Sequence, residues 1–86
     1  MKDILIAITG VELDFEMARK MASLIAQGEN RETDCLAWAD ARQKSYSPSY
    51  VQCEINGKPG WEVYGENHGG SLKIIFNQGD YVFIYS

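Results

Sequence analysis

The segment Glu66-Asn67-His68-Gly69-Gly70 holds the chain's single histidine. An imidazole titrates near neutral pH, and Glu66, two residues earlier, would share its face on a strand. A carboxylate so placed can orient an imidazole for proton transfer, while the glycines leave room for a ligand. The plainer reading is a turn, because Gly-Gly after a polar pair supplies the positive φ angles that tight turns need. Cys53 with His68 would make a thiolate–imidazole pair of the kind that activates a nucleophile. Yet Cys53 alternates with Val51 and Ile55, and Cys35 with Ala37 and Ala39, as small buried hydrophobes do in strands. Trp38 and Asp40 also share a strand face, so an aromatic platform beside a carboxylate could meet a cationic or sugar-like ligand. Asp40 equally suits the start of a turn, where its side chain bonds nearby backbone N–H groups. Trp38, Tyr64, Glu66 and His68 are the ligand-binding candidates, for a small molecule bound with or without chemistry.

Other chemistries are poorly served. Two cysteines and one histidine supply at most three of the nitrogen and sulfur donors that a structural zinc site uses. Neither a metal nor a cofactor is implied. Gly57-Lys58-Pro59-Gly60 lacks the spacing and following helix of a phosphate-binding loop, and there is no nucleotide-binding glycine fingerprint, nucleophile elbow or metalloprotease helix motif. These absences weigh against the enzyme classes such motifs identify. Eight Lys and Arg against twelve Asp and Glu leave a formal charge of −4, which disfavours nucleic acid and anionic membranes as partners. The longest apolar run, Ile4 to Ile8, is far short of the roughly 20 residues a spanning helix needs. With no signal-peptide pattern and two cysteines read as free thiols, the expectation is a cytoplasmic protein.

At 86 residues with 45% hydrophobic content, the expectation is one domain over residues 1–86, near the lower limit of independent stability, so that self-association would help. Ile4-Leu5-Ile6-Ala7-Ile8 reads as a short buried strand closed by Thr9-Gly10. A helix follows over 14–27, with Met17, Ala18, Met21, Ala22, Leu24 and Ile25 on one stripe and Glu16, Arg19, Lys20, Ser23 and Gln27 opposite. Asp14 is placed to cap it, Glu16 to pair with Lys20, and Gly28 to stop it. Strands are expected over 35–39, 50–55, 61–66, 71–77 and 81–85, the last three forming an antiparallel meander across glycine turns. A single helix needs a sheet to bury its stripe, so the predicted fold is α+β: one helix on a curved antiparallel sheet of about four to five strands.

In that meander Trp61, Val63, Leu72, Ile74, Phe76, Val82 and Ile84 take the parity of an inner face. Glu62, Tyr64, Glu66, Lys73, Ile75, Tyr81, Phe83 and Tyr85 then form an outer face unusually rich in aromatic groups. Such a face, beside a last strand whose edge is open, predicts a homodimer with Ile75, Tyr81, Phe83 and Tyr85 at its interface. The leading functional reading is therefore a small, non-enzymatic binding or assembly domain that self-associates.

The helix-on-sheet arrangement resembles the two-layer cystatin-like architecture, and Gln52-Cys53-Glu54-Ile55-Asn56-Gly57 with Pro59-Gly60-Trp61 is similar to the inhibitory loops of cystatins. The glycine is one place late and the proline and tryptophan are split, so protease inhibition is not implied. More of the chain resembles a family of small uncharacterised prokaryotic proteins, a domain of unknown function. The resemblance runs through Trp38-Ala39-Asp40, Ser47-Pro48, Trp61 to Gly70 and Gly79 to Tyr85. It implies a stand-alone prokaryotic protein and assigns no catalytic residue.

Overall fold

The computed structural model describes residues 1–51 and 54–86. Its elements are β1 (Lys2–Ile6), α1 (Phe15–Glu29), β2 (Cys35–Asp40), β3 (Ser45–Ser47), α2 (Gly60–Asn67), β4 (Leu72–Phe76) and β5 (Tyr81–Tyr85), with a 3-10 turn over Asn77–Gly79. The strands make one open sheet in the order β1-β4-β5-β2-β3. The α+β class and the helix laid on a sheet are as expected. The sheet is mixed rather than wholly antiparallel, because β1 runs parallel to β4 with Ile4 opposite Ile74.

α1 begins as its sequence dictates: the Asp14 carboxylate accepts the Met17 N–H at 2.8 Å, satisfying one of the free donors of the first turn. Glu16 pairs with Arg19, three residues on, instead of Lys20. The helix runs past Gly28 to Glu29 and is closed at Asn30. Its buried line is Ala18, Ala22 and Ala26, with Phe15, Met21 and Ile25 flanking it. Met17 and Leu24, expected on the buried stripe, are 40% and 71% exposed. Three alanines at four-residue spacing let the helix lie close to the sheet, which turns the larger side chains at its margins outward.

Residues 61–66 form most of α2 and not a strand. A six-residue run of mixed aromatic, apolar and acidic residues fits either period, so packing decides. Here Pro59 sets the entry with φ −65°, and small residues let the helix dock. A Cβ on Gly65 would lie 2.9 Å from the Ile84 side chain, and one on Gly70 would lie 2.6 Å from the Gly65 carbonyl. α2 thus presses on the face of β5 that carries Ile84, while α1 covers the face that carries Phe83. The expected two layers become three.

The meander's parity is also different. Phe76 pairs with Tyr81, so Leu72, Ile74 and Phe76 lie opposite Tyr85, Phe83 and Tyr81 on one face. Tyr81, Phe83 and Tyr85, expected on an outer face, are 4%, 0% and 5% exposed beneath α1. The β4–β5 connection spans four residues, 77–80, and an even loop sets even-numbered residues against odd-numbered ones. Nor is β5 an edge strand; β1 and β3 are the edges. No strand is present at 50, 51, 54 or 55. Ile55 and Lys58 bridge across Asn56-Gly57, whose φ values of 52° and 81° suit a two-residue hairpin turn. Gln52 and Cys53 lie outside the described residues, and so do the contacts considered for Cys53.

Gly65→Val should destabilise the protein by about 1–3 kcal/mol, because the added atoms meet Ile84 in a packed layer. Gly28→Ala, where a Cβ meets nothing, should stabilise it by about 0.5–1 kcal/mol. Guanidinium denaturation measures both, and an unshifted midpoint for Gly65→Val would contradict the close docking of α2.

Candidate functional site

Strands lie about 4.8 Å apart and a helix is about 10 Å wide, so one helix covers roughly two or three of five strands. α1 lies over the β1, β4 and β5 side of one face, where Ile4 and Ile6 pack against its core. α2 lies over the β2 and β5 side of the other. Each helix leaves part of its face open, and a cleft forms on each face.

Beside α1, a cleft of about 340 Å³ has Trp38, Phe83 and Tyr85 in its floor, with Arg19, Ser23 and Gln27 of α1 on one wall and Asp34 and Cys35 on the other. At the β1 edge, which α2 does not reach, a cleft of about 480 Å³ is lined by Leu5, Ile6, Ala7, Ile8, Thr9, Ile75, Asn77 and Gln78, none of them charged. A third concavity of about 380 Å³ lies at the outer end of α2, where Tyr64 and His68 meet Tyr50.

Of the four predicted ligand-binding residues, Tyr64 and His68 come together. They are four residues apart at the end of a helix, and their rings stack with centroids 3.9 Å apart and planes 18° apart. Tyr50 meets Tyr64 edge-on at 6.2 Å. His68 Nδ1 lies 2.8 Å from the Tyr64 carbonyl oxygen. A carbonyl only accepts, so Nδ1 is the nitrogen that donates in this contact. Glu66 does not orient this imidazole, because residues two apart on a helix face different ways. It bonds Lys58 instead, at 2.9 Å, and that hydrogen bond holds the Glu66 carboxyl below its ordinary range. Trp38 is not part of this corner. It lies on the α1 face, opposite Phe83 in the sheet and 4.7 Å from the Phe15 ring. Asp40 is buried and ends its strand as a turn residue, accepting the Arg42 and Gln43 N–H groups at 3.1 and 3.0 Å.

Of the predicted interface residues, Tyr81, Phe83 and Tyr85 are buried in the core, the last two reaching only the floor of the cleft beside α1, and Ile75 lines the uncharged cleft. The Tyr81 hydroxyl donates to the Leu13 carbonyl at 3.2 Å, which satisfies it inside the protein. Sequence reading missed Leu5, which is 76% exposed. Ile4, Ile6 and Ile8 are half-buried while Leu5 and Ala7 face out, an alternation that five consecutive apolar residues do not display in sequence. The run reads in sequence as a buried strand, and the structure buries one side of it.

Cys35 is exposed as a residue at the mouth of the cleft beside α1, yet the burial of its sulfur pushes the thiol above its ordinary range. Burial, with the neighbouring Cys35, also pushes the Tyr85 phenol up to about 12. Both groups are therefore held in the neutral form near pH 7. Among the described residues no cluster of His, Cys, Asp and Glu could hold a metal ion. No helix of the described residues is long and apolar enough to cross a membrane.

The folded chain favours the neutral thiol and phenol, so their contribution to stability is intact below the ordinary range of each group. The thiol's share is lost as pH rises above its ordinary range, and the phenol's as pH rises from its ordinary range to about 12. The melting temperature should therefore fall between about pH 9 and 12, and less steeply above pH 10 in Tyr85→Phe. Parallel curves for parent and variant would show that the Tyr85 phenol plays no part.

Residues 1–85 match the family model described as a domain of unknown function, DUF5619. The fold is similar to the crystal structure of a novel protein from Archeoglobus fulgidus, with a TM-score of 0.81 and 28% identity over 100% of this chain and 93% of that one. No curated protein matches the chain. The expected kinship with a domain of unknown function is thus borne out over nearly the whole length, and the chain belongs to the DUF5619 family.

Proposed function

We propose that this chain is a small assembly domain that pairs with a second copy of itself through the part of the sheet that α2 leaves open. The observation that carries this reading is Leu5, 76% exposed on edge strand β1 and beside Ile75 in a cleft without a charged lining residue. Two copies that each carry a net charge of −4 repel one another, so they meet most readily through an uncharged face. Asp3 and Lys73 share that face one strand repeat away, where they would form a polar rim around an apolar centre.

The strand edge supplies the geometry. Among the described residues β1 pairs on one side only, with β4, and its other edge presents free backbone groups. A twofold axis through Leu5 would lay two β1 edges antiparallel and bring both Leu5 side chains together on one face of a continuous ten-stranded sheet. The homodimer expected from the sequence keeps its place here, with its contact moved from β5 to β1.

Leu5→Glu tests this without disturbing the core, because the side chain it replaces is mostly in solvent. Sedimentation at high micromolar concentration should give a dimer for the parent chain and a monomer for the variant. A monomeric parent at that concentration would overturn the reading.

A further inference from the structure

We infer that the cleft between α1 and β2 binds a small, uncharged, planar heteroaromatic molecule of about nucleoside size. The inference is independent of self-association, since this cleft lies on the opposite face of the sheet from Leu5. Its volume of about 340 Å³ falls at the small end of ligand sites. The Trp38 indole, half-buried and held by Phe15 at a centroid distance of 4.7 Å, offers a fixed surface on which a flat ring can stack.

The walls select for a neutral ligand with polar edges. Arg19 is already engaged by both Glu16 oxygens, at 3.0 Å each, so no unpaired cation waits for a phosphate or carboxylate. The carboxylate nearest the other wall, Asp34, accepts N–H donors and repels anions. Gln27 donates to Ser23 Oγ at 3.3 Å, a long bond that both groups can exchange for ligand atoms. Cys35 and Tyr85, both neutral near pH 7, add no charge to the walls.

The test is nitrogen-15 NMR titration of the full chain with adenosine, uridine and riboflavin at millimolar concentration, and with the monophosphate of each. At least one uncharged member should shift the Trp38 indole and Gln27 side-chain amide signals, and its monophosphate should bind about tenfold more weakly or worse. Ser23→Phe, which fills the cleft from the helix, should abolish those shifts. If its spectrum shows that it does not fold, Gln27→Ala takes its place, with a loss of about fivefold or more. Three results would each overturn the inference: no binding by any uncharged member, equal or tighter binding of the monophosphates, or shifts centred on Leu5 or His68.

Discussion

Strand β5 is buried at every one of its five residues, and a strand can be so only if both faces of the sheet are covered above it. Tyr81, Phe83 and Tyr85 project toward α1, where Phe15 stands 5.6 Å from Phe83 and Phe76 meets Phe83 edge-on at 6.0 Å. Val82 and Ile84 project the other way and need a second cover, which α2 provides. Close approach on that side is what Gly65 and Gly70 permit, since any side chain there would enter the space of Ile84 or of the backbone. The three layers, the central position of β5 and the short helix that follows Pro59 all answer this one requirement.

Covering one strand twice has a cost elsewhere in so small a chain. With two helices and five strands, the cover is complete over β5 and incomplete toward both edges. α1 and α2 sit on opposite faces and are displaced toward opposite edges, so the two open areas are also opposite. Their chemistry differs because their strands differ. On the α2 face the surface is the outward half of an apolar edge strand, and beside α1 it is an aromatic floor with polar walls. One suits a protein surface and the other a small polar ring.

The ion pairs mark the rims of this arrangement more than its centre. Glu16 with Arg19, Lys2 with Glu29 and Lys58 with Glu66 are all exposed, and such pairs contribute little to stability in water. Lys73 with Glu62 is better shielded, at 3.7 Å, and ties β4 to α2 where the helix ends its cover of the sheet. They neutralise charge locally and leave Arg19 engaged, while the cleft beside Leu5 is uncharged through the residue types that line it.

What the sequence by itself determined is local. The α1 helix, its Asp14 cap, strands β2, β4 and β5 and the antiparallel β4–β5 pair were all legible, because each rests on neighbours in the chain. So were the Tyr64 and His68 candidates as residues worth attention, although the stack they form depends on helical spacing that six ambiguous residues did not reveal. Only the tertiary structure decided which face of β5 was which, because a four-residue connection reverses the parity that a three-residue one would keep. It also decided that β1 pairs in parallel with a strand some seventy residues away, a contact with no local signature. That pairing at the sheet's edge is why Leu5 stands in solvent while Tyr81, Phe83 and Tyr85 do not.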